Sequence, residues 1–158
     1  MTPKGAVMSR IIPAIAALLA ASLFLAAGQA EARNPLRHRP YMMYGLPAPY
    51  AGKVNPLPAD AANIAAGGAL YREHCVSCHG ASGRGDGEAG RDLNPPPADI
   101  AFIIGRPVAT DEFLFWTISE GGEPLKTDMP VFKDVLSEKE RWQVILYLGA
   151  GFPTQPAE

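Results

Sequence analysis

Small and apolar positions recur at three- and four-residue steps in three stretches, and each stretch carries its own start and stop signals. In residues 60–75, Ile64, Gly67, Gly68, Tyr71 and Cys75 fall on one face of a helix. Asp60 stands where a side chain can cap the first turn. Glycine inside a helix costs about 1 kcal/mol relative to Ala. Two in succession therefore predict a close crossing with another helix, where a side chain would not fit. A second helix is predicted over 110–119. Thr110 is its N-cap, Asp111 and Glu112 sit in the positive first turn, and Gly121-Gly122 end it. Phe113, Leu114, Trp116 and Ile118 supply its apolar cover. A third opens on Ser137-Glu138-Lys139-Glu140, a capping box. Trp142, Ile145, Leu146 and Leu148 form its packing surface, and Gly149 and Gly151 stop it.

The segments between behave differently. Prolines at 35, 40, 47, 49, 56 and 58 exclude a long helix or a central strand. Residues 33–59 therefore read as an extended arm or linker. Tyr41, Tyr44 and Tyr50 predict that this arm lies on a protein surface, its own domain's or a partner's. His38, Met42 and Met43 are soft or borderline metal donors, but their spacing defines no metal geometry, and an ordinary arm is the simpler reading. Residues 79–99 are predicted to be loop, with five glycines from Gly80 to Gly90 and then Pro95-Pro96-Pro97. The loop follows no strand and carries no Lys-Ser/Thr, so it does not match a phosphate-binding loop. Its glycines let the backbone wrap tightly around a neighbour.

The N-terminus reads as a secretory signal. Lys4 and Arg10 precede an uncharged, mostly apolar run from Ile11 to Gly28, and Ala30-Glu31-Ala32 is a small-x-small cleavage site. Cleavage is expected after Ala32, or after Ala30. A retained membrane anchor is the alternative, although the run is at the short limit for spanning a bilayer. Either way the remaining chain lies outside the cytoplasm, in the periplasm. The full chain has 158 residues, room for one domain. Without residues 1–32 it keeps 12 basic and 15 acidic side chains, with no basic cluster of the kind that binds nucleic acid.

The chemistry is concentrated in Cys75-Val76-Ser77-Cys78-His79. These are the only two cysteines in the chain. C-x-x-C-H is the attachment signature of a c-type haem: two thiols one helical turn apart form thioethers, and the adjacent imidazole binds iron. A zinc site would need a second ligand pair, and only His38 and His74 remain as histidines. A thioredoxin-type redox pair would follow a strand, which the flanks do not predict. A pair of ordinary buried thiols would leave His79 without a role. After His79 there is no further histidine and one methionine, Met129, followed by Pro130. A loop methionine usually fills a gap in a core. As the sole downstream candidate it is also the expected second axial ligand, the ligand set of His/Met cytochromes. A thioether there raises the potential and closes the iron to small ligands. Electron transfer, not catalysis, is then expected.

Together these residues resemble the class I cytochrome c family in its small bacterial mono-haem form, over about residues 60–152. Cys75, Cys78 and His79 match the attachment motif, and Met129-Pro130 matches the axial-methionine loop. Gly67 and Tyr71, with Val144 and Tyr147, match the family's helix crossing. The resemblance implies an all-α cytochrome c fold, three main helices wrapped around one covalently attached haem c. It also implies a proline carbonyl that accepts the proximal imidazole N–H, here one of Pro95, Pro96 or Pro97, with Pro96 the choice. Tyr71, Pro96 and Trp116 are the expected pocket residues, although for Trp116 plain core is the slightly preferred reading. The expected organisation is a signal over 1–32, the arm over 33–59, the haem domain over 60–152 and a tail over 153–158. The expected role is a periplasmic one-electron carrier that docks transiently on redox proteins. The alternative is a fixed haem subunit of a larger oxidoreductase with the arm as its attachment. A haem enzyme or sensor with a labile sixth ligand is a further alternative.

Overall fold

The computed structural model describes residues 31–153, and among them every regular element is helical, with no strand. The signal or anchor expected over residues 1–32 lies, but for its last two residues, outside the described residues. So does nearly all of the tail. No helix among the described residues is long and apolar enough to cross a membrane.

Three helices carry the core. We label them α2, Ala61–His74; α5, Asp111–Glu120; and α6, Glu138–Gly149. Their starts are where local chemistry puts them. Asp60 accepts from the Asn63 N–H, Thr110 from the Phe113 N–H, and Ser137 and Glu140 form the reciprocal capping box. Helices α2 and α6 cross at Gly67, where an added Cβ would overlap the Gln143 carbonyl. That contact is the reason a glycine is tolerated mid-helix. One turn on, Tyr71 packs against Tyr147 with ring centres 5.4 Å apart, beside buried Val144. From the other side, Phe115 of α5 stacks on Trp142 of α6 at 4.0 Å. Tyr71, Phe115, Trp142, Val144, Tyr147 and Leu148 belong to one apolar core.

Shorter elements position the loops. α3, Val76–His79, continues from α2 as a single turn. α4, Ile100–Ile103, was not predicted; Asp99 caps it by accepting from the Phe102 N–H at 2.9 Å. Where the prolines predicted an extended segment, the structure has a 3-10 turn at Pro35–Arg37 and then α1, Arg39–Tyr44. Both carry a proline in the first turn, Pro35 and Pro40, where a missing N–H costs nothing.

The segment lies on the helical domain. Tyr41 sits 4.3 Å from the Trp116 ring and donates to the Pro124 carbonyl. Tyr50 donates to Glu120. Asn55 bonds Asp111 through its backbone and the Trp142 carbonyl through its side chain.

Candidate cofactor site

Cys75, Cys78, His79 and Met129 all line one cavity, which Leu93, Ile100, Ile103, Leu114, Leu125 and Phe132 make apolar. With its open mouth it encloses about 1210 Å³ of empty space. Two chain segments far apart in sequence thus meet at a single hollow.

The motif side is held from beneath. Cys75 closes α2, with its N–H bonded to the Tyr71 carbonyl at 2.9 Å, and His79 N–H bonds the Cys75 carbonyl at 2.9 Å. The Tyr71 hydroxyl donates to the Gly80 carbonyl at 2.8 Å, tying the helix to the residue after the histidine. The glycine loop folds back over this turn: Gly87 N–H bonds the Cys78 carbonyl at 3.1 Å, and a Cβ at Gly87 would strike the Ser77 and Val76 carbonyls.

His79 Nδ1 lies 3.1 Å from the Ala98 carbonyl. A carbonyl only accepts, so this contact requires the proton on Nδ1 and leaves the Nε2 lone pair available to a metal. Burial lowers the His79 pKa, partly opposed by the Ala98 contact. The ring is therefore neutral, as a metal ligand must be. Burial also pushes the Cys75 thiol up to about 12, with Cys78 adding to the rise. A reactive redox cysteine has a depressed pKa. Cys75 is the opposite, so the thioredoxin-type reading loses its chemical basis.

The methionine side hangs from the end of α5. Gly122 N–H donates to the Met129 carbonyl at 2.8 Å, and Thr127 N–H to the Gly122 carbonyl at 3.0 Å. Beyond it, Phe132 N–H bonds the Ile118 carbonyl at 3.2 Å. Met129 is half-buried against the core, beside the cavity.

Three expected pocket residues are placed differently. Pro96 lines the cavity, but its carbonyl takes the Arg37 guanidinium at 3.2 Å; the carbonyl facing the imidazole is that of Ala98. The Pro-rich loop therefore presents the acceptor two residues later than the resemblance led us to place it. Trp116 does not line the cavity. Its ring is buried between Tyr41 and Phe113, the plain-core alternative. Tyr71 likewise stands behind the motif rather than in the cavity. Among the lining residues that the sequence did not mark are three basic or titratable ones, Arg37 and His38 of the arm, and His74. His38 is buried edge-on to Phe113, at 5.3 Å between ring centres, and its pKa is lowered by burial and by Arg37. Only the aromatics of the arm hinted at such contact.

The donors fit a c-type haem. The imidazole has its outer nitrogen fixed, a thioether shares the same cavity, two free thiols border it, and the lining is apolar.

Comparison with known proteins agrees. No curated protein matches the chain. Among solved structures, a chain of the reducing HAO-like protein complex of Kuenenia stuttgartiensis is similar, with 28% identity and a TM-score of 0.52. The match covers 70% of this chain and 53% of that one, so this chain spans about half the length of its structural relative. A family model described as cytochrome c oxidase, cbb3-type, subunit III, a c-type cytochrome model and so one that implies haem c, matches residues 62–148. That match runs from the first turn of α2 to the last turn of α6, over more than half of the residues, and the chain belongs to this c-type cytochrome family.

Proposed function

We propose that this chain is an exported mono-haem cytochrome c that passes single electrons between redox proteins, with Cys75 and Cys78 as the covalent attachment points and His79 and Met129 as the axial ligands. The convergence of these four residues on one apolar cavity carries the reading. Bound haem c supplies a one-electron Fe(III)/Fe(II) couple. The chain's residues do the rest. The Ala98 carbonyl keeps the proton on His79 Nδ1 and the ring oriented. The loop hung from Gly122 presents the Met129 thioether, a ligand that favours the reduced metal. Leu93, Ile100, Ile103 and Phe132 keep water from the cavity and so lower the local dielectric, a second lever on the potential. With His79 and Met129 as its ligands, bound haem would keep no open position for a substrate, which favours electron transfer over catalysis.

The test is spectroscopic. Wild-type ferric protein should show the weak far-red band of sulfur-ligated haem, and Met129→Ala should abolish it. An unchanged ferric spectrum in that variant rejects the axial assignment. Cys75→Ser with Cys78→Ser should release haem on denaturation. Mature protein should begin at Arg33 or Glu31 and be found in the periplasm; a retained N-terminus would indicate an anchor.

A second reading, a fixed subunit of a larger oxidoreductase, is favoured by one observation. The outer side of the arm exposes Leu36, Met42, Met43 and Tyr44, Tyr44 at 83%. The similar solved chain also comes from a protein complex. Co-purification of a redox partner through a high-salt wash supports the subunit, and its loss on Met42→Ser with Met43→Ser places the attachment on the arm.

A further inference from the structure

The first part of the arm touches both sides of the cavity. Near its start, Arg33 Nε bonds the buried carboxylate of Asp99 at 2.7 Å, and Arg37 donates to the Pro96 carbonyl at 3.2 Å. Both acceptors flank Ala98, whose carbonyl faces His79. Further along the arm, the Tyr41 hydroxyl donates at 2.7 Å to the carbonyl of Pro124. Pro124 lies in the 3-10 turn Glu123–Leu125, which leads through Lys126, in the left-handed region at φ 56°, to Met129. Between these anchor points Arg37 and His38 form part of the cavity wall. One short segment therefore connects the loop that orients the imidazole to the loop that presents the thioether.

We propose that residues Arg33–Tyr41 are a clamp that fixes the two axial-ligand loops relative to each other, with Arg33 and Tyr41 as positioning residues for His79 and Met129 respectively. The proposal rests on the His79/Met129 ligation proposed above. A loop methionine is the more easily displaced of the two ligands, because its loop can swing away from the cavity. The clamp opposes that swing by holding Pro124, a little upstream of Met129 in the same loop. Tyr50 provides an internal comparison. Its hydroxyl is also bonded, but to Glu120 on α5, so it ties the arm down without touching either ligand loop.

The experiment measures binding of exogenous imidazole to the ferric haem-loaded protein, which competes with Met129, together with the far-red band and the melting temperature. Tyr41→Phe keeps the ring against Trp116 and removes the bond to Pro124. It should tighten imidazole binding about fivefold, the size expected for one lost hydrogen bond. Arg33→Gln, which removes the bond from the arm to Asp99 beside the opposite loop, should tighten binding as well, and the double variant should fall short of the product of the two effects. Tyr50→Phe should lower the melting temperature without altering imidazole affinity. In a Met129→Ala background Tyr41→Phe should have no further effect. The clamp is overturned if Tyr41→Phe or Arg33→Gln leaves imidazole affinity at the wild-type value, or if Tyr50→Phe shifts it equally. If wild type lacks the far-red band and Met129→Ala binds imidazole as wild type does, the axial assignment fails instead.

Discussion

Replacing Gly67 by Ala tests the helix crossing on which the site is built. In an open helix the change would gain about 1 kcal/mol, because Ala is the better helix former. Here a Cβ would overlap the carbonyl oxygen and carbon of Gln143, and it would also press on the Val144 nitrogen at 3.0 Å. All three atoms are backbone of α6, so no side chain can rotate out of the way. Either α2 and α6 must move apart or each must distort. Overpacking of this kind costs about 1–3 kcal/mol or more. For an overlap this close with backbone the upper half of that range, about 2–3 kcal/mol, applies, and the gain in propensity then leaves a net loss of about 1–2 kcal/mol. That corresponds to a fall in melting temperature of roughly 4–8 °C for a domain of this size. Gly149 is the control: nothing lies within 4 Å of a Cβ there, and its φ is not positive. Gly149→Ala should therefore be neutral or slightly stabilising. Urea and thermal unfolding of the haem-loaded proteins, followed by far-UV circular dichroism, would measure both. If Gly67→Ala is as stable as Gly149→Ala, the crossing is not close-packed at this residue, and the account of the paired glycines is wrong.

Ser137→Ala removes the capping box of α6 and should lose about 1 kcal/mol in urea unfolding. Glu120 is held below the ordinary carboxylate value by the bond from Lys133 and then by that from Tyr50. A depressed carboxylate contributes stability above its unfolded value near 4.5, and that contribution is lost as pH falls through the folded value. The urea midpoint should thus drop between about pH 5 and pH 3, less steeply in Glu120→Gln; equal slopes would refute a role for this pair. Raising salt from about 0.1 M to 1 M, which shortens screening from about 10 Å to 3 Å, should leave the arm docked. Amide exchange at Gly52 and Asn55 would report its release.

Much of the fold was legible because its signals are local. Asp60, Thr110 and Ser137 cap within their own first turns, the Gly67-Gly68 pair marks a close crossing, and the family resemblance adds Tyr71 to it. The attachment motif is contiguous from Cys75 to His79, and Met129 has no downstream competitor. What escaped prediction depends on tertiary placement. The acceptor for His79 is a backbone carbonyl, so no side chain distinguishes Ala98 from Pro96; only the path of the loop decides. Trp116 could have faced the cavity or the core. The arm's Tyr41 packs over it, and the two are remote in sequence. Arg37 and His38 carry no mark that they wall a cavity whose motif begins only at Cys75, well beyond the end of the arm.

The arm's charge invites the view that electrostatics holds it. Residues 33–59 contain Arg33, Arg37, Arg39 and Lys53 and no acid, whereas residues 60–158 contain 8 basic and 15 acidic side chains. The contacts say otherwise. Lys53 meets Glu138 at 3.2 Å with the glutamate side chain 60% exposed, a pair worth at most about 1 kcal/mol. Arg33 is stronger because Asp99 is buried, but its own side chain is 44% exposed. Against these stand Tyr41 over Trp116, His38 edge-on to Phe113 and Asn55 bonded to the Trp142 carbonyl. Aromatic pairs add about 0.5–1.5 kcal/mol beyond the area they bury, and salt does not screen them. Diffuse attraction can guide the basic segment onto the acidic body, but rings and directed hydrogen bonds keep it there. The clamp proposed above would benefit from being held that way, since a tether that loosened with ionic strength would free the Met129 loop as the medium changed.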